Sequence, residues 1–316
     1  MTISRRAFTG AGLAAVGLSG CGAGGSANRP RVAVSFHNMA EPFFVVMRRE
    51  LLAEAATLGA DVTVLDGQAN SAKQTADIEA ALVRGVDGVI LAPTDVNALA
   101  PAVNAVLAEG LPILTVDRRI ENAARPVPHV GADNVTGGRM MVEWIQEQHP
   151  DGAEILLLTG QPGSSSAIDR TRGVREGLRA AGANYRILAE QSANWSRDQG
   201  LTVTQNILTS LGARKPTALL AENDDMAFGA ISALRTAGMT GVPVLGFDAT
   251  PEALRLIRAG EMALTVEQSP SRQIRSALGQ VVGAIREQTP MRSESIQPVL
   301  ITRANLGEAE RISEAG

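Results

Sequence analysis

Residues 31–51 read RVAVSFHNMAEPFFVVMRREL. The first six alternate little and are mostly apolar, as expected of a strand buried on both faces of a parallel sheet. The segment from Phe43 carries a helical pattern running to about residue 58. Between them lie Glu41-Pro42 and two adjacent aromatics, in a chain with only 6 Phe, 2 Trp and 1 Tyr among 316 residues. Neighbouring helical residues point about 100° apart, so Phe43 and Phe44 do not easily share one buried stripe. Their place just beyond a strand end marks them as a platform for something held there rather than as core.

The βα unit recurs. DVTVLD (61–66), DGVILA (87–92) and PILTVD (112–117) read as further buried parallel strands. Helices are predicted near 43–58, 71–84 and 96–109, the last two opening after Asn70-Ser71 and Thr94-Asp95 as caps. A second series follows: EILLLT (154–159), YRILAE (185–190), TALLAE (217–222), PVLGFD (243–248) and ALTVEQ (263–268) as strands. Its helices are predicted near 134–148, 166–181, 196–210, 225–237, 251–259 and 270–287, and SIQPVLIT (295–302) as one last strand. Two series of this size predict an α/β chain with two doubly wound parallel-sheet lobes.

In such sheets ligands sit beyond the carboxyl ends of the strands. The residues there are His37 to Phe44, Asp117-Arg118, the loop leading to Arg170, Trp195, Asn223, Asp248 and Gln268. Asn223 and Asp248 also suit helix caps, and Gln268 says little alone. The set offers aromatic faces, carboxylates, guanidiniums and amides. A sugar has apolar C–H faces and a rim of hydroxyls that donate and accept, and this set matches both. Buried charges of this kind require partners, so the Arg and Asp groups must interlock around the ligand.

The hydrophobic content of 45%, charge of 20% and net charge of -4 fit an ordinary globular protein and argue against nucleic acid as a partner. His37, His129 and His149 are scattered with no metal-ligand spacing, which gives them structural or surface roles and predicts no metal or cofactor. Ser164-Ser165-Ser166 lacks the nucleophile elbow of a serine hydrolase, so no enzyme is expected. Gly10-Ala11-Gly12-Leu13-Ala14-Ala15 fits a dinucleotide pattern but follows no strand. The acceptor-like triplets at Asn134 and Asn194 read as accidental matches.

The start of the chain has its own logic. MTISRRAFTGAGLAAVGLSGC places Arg5-Arg6 before a short apolar run and small residues, the layout of an export signal. It resembles the twin-arginine signal, although the general route stays open, and Leu18-Ser19-Gly20-Cys21 resembles the lipobox of bacterial lipoproteins. The single Cys21 would carry the lipid, and residues 22–29 would form a flexible tether.

Several motifs in order carry a wider resemblance. They are Glu41-Pro42-Phe43-Phe44-Val45, Leu65-Asp66-Gly67-Gln68-Ala69-Asn70, Pro93-Thr94-Asp95, Asp117-Arg118, Ala132-Asp133-Asn134, Glu222-Asn223-Asp224-Asp225-Met226-Ala227 and Gly246-Phe247-Asp248-Ala249-Thr250-Pro251. From about residue 31 the chain resembles the ribose-binding-protein family of type I periplasmic receptors that serve bacterial ABC sugar transporters. The resemblance implies two lobes, 30–132 plus 269–296 and 133–268 plus 297–316, joined by three crossings around a cleft. It implies that Phe44 and Trp195 face the two sides of a sugar ring with Phe43 beside them. Asp117, Arg118, Arg170, Asn223, Asp248 and Gln268 would bond its hydroxyls. Glu41 stands where the family commonly has Asn, and Trp195 where it commonly has Phe; both departures point away from ribose itself.

The expected function is a lipid-anchored, monomeric receptor on the outer face of the cytoplasmic membrane or in the periplasm, passing a monosaccharide or polyol to an ABC permease. The alternative is a receptor for a sugar-like signal feeding a membrane sensor. A repressor would need a helix-turn-helix where the export signal stands. Replacing Cys21 with Ala should release the protein from membranes in fractionation while leaving ligand affinity intact; retention of Cys21→Ala on membranes would contradict the anchor.

Overall fold

The computed structural model describes residues 29–316, so the export signal, Cys21 and nearly all of the tether lie outside the described residues. In chain order the elements are β1 Arg31–Phe36, α1 Pro42–Leu58, β2 Asp61–Asp66, α2 Ser71–Val83, β3 Gly88–Leu91, α3 Ala100–Ala108, β4 Ile113–Val116 and β5 His129–Ala132. Then come α4 Asn134–Gln148, β6 Ala153–Thr159, α5 Ser165–Ala181, β7 Tyr185–Ser192, α6 Arg197–Leu211, β8 Ala218–Ala221, α7 Asp224–Thr236 and β9 Val244–Phe247. The chain continues through α8 Pro251–Ala259, β10 Leu264–Glu267, α9 Pro270–Glu287, β11 Glu294–Ile296 and β12 Val299–Thr302.

The strands form two six-stranded sheets, ordered β11-β5-β4-β3-β1-β2 and β12-β10-β9-β8-β6-β7. The two doubly wound lobes expected from the strand–helix alternation are therefore present. Strands β3, β4, β8, β9 and β10 are buried at every residue, which is why they read as unbroken apolar runs. The edge strand β2 is an exception to the buried reading: Asp61 and Thr63 are exposed, because only one of its faces is covered.

Three readings need correction. The single strand expected at 295–302 is two. Ile296 pairs with Ala132 in the first sheet, whereas Val299–Thr302 runs antiparallel to β10 in the second. Pro298, which has no N–H to give a ladder, lies in the break between them. Strand β5 was not anticipated, since HVGA is only four residues long and holds a His and a Gly. Helix α3 opens at Ala100, not after Thr94-Asp95. The Asp95 carboxylate instead closes a turn by accepting from the backbone N–H groups of Asn97 (2.8 Å) and Ala98 (2.9 Å).

The chain passes between sheets three times: from β5 into α4, from β10 into α9, and from β11 to β12. Helix α9 packs on β3, β4, β5 and α1, so it belongs with the first sheet, while α4 packs on α5 beside the second. The α4–α5 contact is unusually close because glycines meet backbone. A Cβ on Gly138 would lie 2.3 Å from the Arg170 carbonyl oxygen, and one on Gly173 would lie 2.1 Å from that of Val135. Helices α6 and α7 repeat the device: a Cβ on Gly229 would come within 2.1 Å of the Arg197 carbonyl oxygen. Backbone cannot step aside as a flexible side chain can. Gly173→Ala should therefore push α5 off α4 and cost roughly 1–3 kcal/mol, the usual range for overpacking, in urea unfolding. An unchanged midpoint would show that the pair has slack.

Candidate functional site

The carboxyl ends of both sheets face each other, and the loops leaving them enclose one small cavity of about 20 Å³. Its lining is Glu41, Phe43, Phe44, Asp117, Arg118, Ser166, Arg170, Trp195, Asn223, Asp248 and Gln268. All ten residues singled out in the sequence thus meet at one place. Ligand pockets span about 300–1,000 Å³, so the cleft here is closed on itself, with space for about one water-sized group. A larger open groove of about 430 Å³ lies at the opposite ends of β9 and β10, lined by residues such as Leu234, Met239 and Val242. Its two charged residues, Arg235 and Glu261, pair with each other at 2.6 Å.

From the first lobe, α1 starts at Pro42 with Glu41 as its N-cap residue. The Glu41 side chain makes no capping bond; Oε1 lies 3.1 Å from His37 Nε2 and Oε2 lies 3.6 Å from Arg118 Nη2. The first turn of α1 presents Phe44 to two neighbours, with its ring 5.6 Å from Phe36 and 5.2 Å from Phe43. Phe44 has no exposed surface and Phe43 only 7%, and both belong to the core of this lobe. The platform reading needs that correction. A helix start lying over a strand end lets one ring plug the core beneath while its edge lines the cleft. Trp195 behaves alike, buried in the core of its own lobe and lining the cavity.

Trp195 can lie where it does because residue 160 is glycine: a Cβ there would meet the indole at 2.0 Å. The Arg118 guanidinium is 5.6 Å above Phe44 and 5.7 Å above Trp195, so it stands between rings from the two lobes. Arg170 lies 3.6 Å over Phe247 and 5.4 Å over Trp195. Both cations are about 3% exposed, and aromatic faces compensate part of their lost hydration.

Carboxylates compensate more. Asp117 Oδ2 is 3.5 Å from Arg118 Nε, and Asp248 Oδ1 is 3.9 Å from Arg170 Nη1. Arg170 also donates from Nε to Asn134 Oδ1 (2.8 Å) and from Nη1 to the Glu222 carbonyl oxygen. Gln268 Nε2 donates to Asp248 Oδ1 at 2.6 Å and is itself steered by Gln273, whose Nε2 donates to the Gln268 carbonyl at 2.8 Å. Asn223 has two tasks. Its Oδ1 accepts from Met226 N–H, capping α7, and its Nδ2 donates to the Trp195 carbonyl. The cap of α8 is Thr250 rather than Asp248. Arg118 Nε and Nη1 and Trp195 Nε1 are buried without a hydrogen-bond partner in the protein. Such donors are costly unless a ligand's acceptors meet them.

Burial raises the carboxyls of this region. It pushes Asp117 to about 6, against the pull of Arg118 and Arg170, and Glu222 to about 7, against the bonds from Thr171 and Gly160. Asp248 moves upward too, through burial and the nearby Asp224, with Arg170 opposing. The backbone is also held out of its preferred regions. Asp117 (φ 62°), Trp195 (φ 63°) and Asp248 (φ 113°) all have positive φ without being glycine. Strain of this kind persists where surrounding structure fixes a functional geometry.

Three residues escaped the sequence reading, and a fourth, His37, had been given only a structural or surface role. Ser166, weighed only as part of a hydrolase motif, lines the cavity and its Oγ donates to the Asp117 carbonyl at 3.3 Å, from one lobe to the other. His37 is 1% exposed and in contact with Glu41. Gly160 and Gln273 act on Trp195 and Gln268. None follows a local pattern, since each is defined by what reaches it from a distant segment. Further bonds join the lobes: Arg119 N–H to Ser165 Oγ (2.9 Å), Val96 N–H to the Gly163 carbonyl (2.9 Å) and the Arg119–Asp169 ion pair.

Known proteins extend this picture. Residues 32–289 match the model of the periplasmic binding protein domain, and the chain belongs to that family. The ribose import binding protein of Escherichia coli K12 is 34% identical over 258 residues, spanning 82% of this chain and 86% of that one. The crystal structure of a Caulobacter myo-inositol binding protein bound to myo-inositol is 53% identical, with a TM-score of 0.88, covering 90% of this chain and 97% of the other. A solute binding protein of an ABC transporter from Bacillus halodurans, with bound myo-inositol, is 28% identical with a TM-score of 0.84, covering 90% and 98%. The family and fold expected from the motifs are thereby borne out.

The raised carboxyls have a consequence for stability. Asp117 and Glu222 hold protons in the fold that they would release in the unfolded chain near the ordinary carboxylate range. Their contribution is fully present below that range and is lost as pH rises through about 6 to about 7. Urea unfolding of ligand-free protein should therefore lose stability between about pH 4 and pH 7, and Glu222→Gln should flatten part of that slope. A slope unchanged by Glu222→Gln would place the titration elsewhere.

Proposed function

We infer that this protein is an extracytoplasmic receptor that captures a cyclic polyol, myo-inositol, for an ABC importer. The observation that carries the reading is the cavity lining: charged donors and acceptors from both lobes form a rim, and Phe44 and Trp195 supply aromatic surface from opposite lobes. myo-Inositol is a carbocycle with a hydroxyl on every ring carbon. It has C–H faces for the rings and a full rim that both donates and accepts, with no ring oxygen or apolar arm to accommodate. The bound ligand of the 53% identical Caulobacter protein supports the same choice.

In this reading Glu41, Asp117 and Asp248 accept from hydroxyls, Arg118 and Arg170 donate to their oxygens, and Asn223 and Gln268 complete the rim beside Phe43. A hydroxyl missing from an analogue would leave one of these buried groups unpaired. Lobes 30–132 plus 269–296 and 133–268 plus 297–316 close on the ligand, since each contributes bonds to the same molecule. Lipidation at Cys21 keeps the monomeric receptor beside its permease at the membrane.

A calorimetric and thermal-shift panel of inositols, pentoses and hexoses tests the reading. Ligand at 100 times its Kd should add about 2.7 kcal/mol, several degrees in Tm, with myo-inositol first. Arg170→Ala should weaken it by roughly 2–5 kcal/mol, because buried carboxylates lose their cation. Stronger stabilisation by ribose than by myo-inositol would overturn the assignment.

A further inference from the structure

A chain of hydrogen bonds behind Glu41 has a polarity that its heavy atoms fix. Gln74 is fully buried; its Oε1 accepts the Thr94 backbone N–H at 2.8 Å and its Nε2 donates to the Ala92 carbonyl at 3.1 Å. A backbone N–H only donates and a carbonyl only accepts, so the amide can face one way. Thr94 Oγ1 lies 2.7 Å from the same Oε1. That oxygen has no hydrogen, so the hydroxyl must direct its single proton there. The lone pairs of Thr94 Oγ1 are left for His37 Nδ1, 3.1 Å away, which must therefore carry a hydrogen. A neutral imidazole has one N–H, and Nε2 is then a bare lone pair. Yet Nε2 stands 3.1 Å from Glu41 Oε1. An ionised carboxylate also offers only lone pairs, and two acceptors at that distance repel.

We propose that His37 is the positioning residue for Glu41 and that the pair holds one proton between Nε2 and Oε1, to which ligand capture is coupled. The coupling rests on the polyol-receptor reading; the proton's place does not. The bond is either imidazolium to carboxylate or carboxylic acid to imidazole, and in both cases the pair is neutral overall.

The neighbours bear on it from every side. Asp66, at the end of β2, accepts from the Met39 and Gln68 N–H groups. Arg118 and Asp117 approach from the end of β4, and Asp225 faces Glu41 from α7 across the cleft, with Arg197 and Asp198 at the start of α6 lining the same opening. Burial and then Arg118 hold the His37 pKa below its ordinary value, against the upward pull of Glu41 and Asp66.

Loss of the proton sets lone pair against lone pair and adds a negative charge beside Asp117. The carboxylate then swings off its site and takes an acceptor from the cavity. The bound state consequently holds the proton more tightly than the free one. Affinity is full below the free pair's pKa and falls as pH rises above it, by up to about tenfold per pH unit.

Two measurements on the whole protein test this. Histidine ¹⁵N NMR of the ligand-free protein should show His37 protonated at Nδ1 whether it is neutral or cationic; a neutral Nε2–H tautomer would overturn the proposal. Calorimetry with myo-inositol from about pH 5 to pH 9 should show the alkaline fall in wild type. In Glu41→Gln the introduced amide donates an N–H to Nε2 that does not titrate, so that fall should vanish. Equal slopes in the two proteins would overturn the coupling. If myo-inositol binds neither protein, the polyol assignment fails, and the NMR tautomer decides the proton's place by itself.

Discussion

Two guanidiniums, Arg118 and Arg170, are taken almost wholly out of water at the junction of two lobes. That is the constraint around which the rest of the site is arranged. An arginine does not shed its proton to escape burial, so the charge has to be met in place. Aromatic faces meet part of it: Phe44 and Trp195 for Arg118, Phe247 and Trp195 for Arg170. Asp117 and Asp248 meet more, at distances too long for ideal ion pairs. The result is a cluster whose internal pairing is incomplete, with Arg118 Nε and Nη1 still free to donate. Incomplete pairing suits a receptor: a polyhydroxylated ligand can supply the missing acceptors and donors together.

The scaffold serves this arrangement from beneath. Positive φ at Asp117, Trp195 and Asp248 turns those side chains off the strand ends into the cleft. Gly160 leaves room for the indole, and the glycines of α4 and α5 bring Arg170 close to Asn134, its partner at Nε. A few backbone approaches thus fix the positions of groups that a local view of the site would treat as independent.

How much of this was legible in the sequence follows the physics of each feature. Central strands such as β3 and β8 showed as apolar runs because both faces are covered. The helix caps at Asn70 and Asn223 were visible because capping is local. The strand-end rule pointed to ten of the eleven cavity residues, since position in a doubly wound sheet is a topological property that alternation reveals. The division of 295–302 was not legible: the two halves are apolar enough to pass for one strand, and only their partners distinguish them. The same holds for Phe43 and Phe44, whose double role as core and lining depends on Phe36 below and Arg118 above. Ser166, Gly160 and the Gln74–Thr94–His37 chain are long-range relations, with no signature within their own segments.

If groups on both lobes bond one molecule, that molecule holds the lobes together. Small-angle X-ray scattering of the full chain, with and without saturating myo-inositol, tests it most directly. The ligand-free protein should populate a more open state, and its radius of gyration should fall on saturation. An identical radius in the two conditions, with binding verified by calorimetry in the same samples, would contradict it.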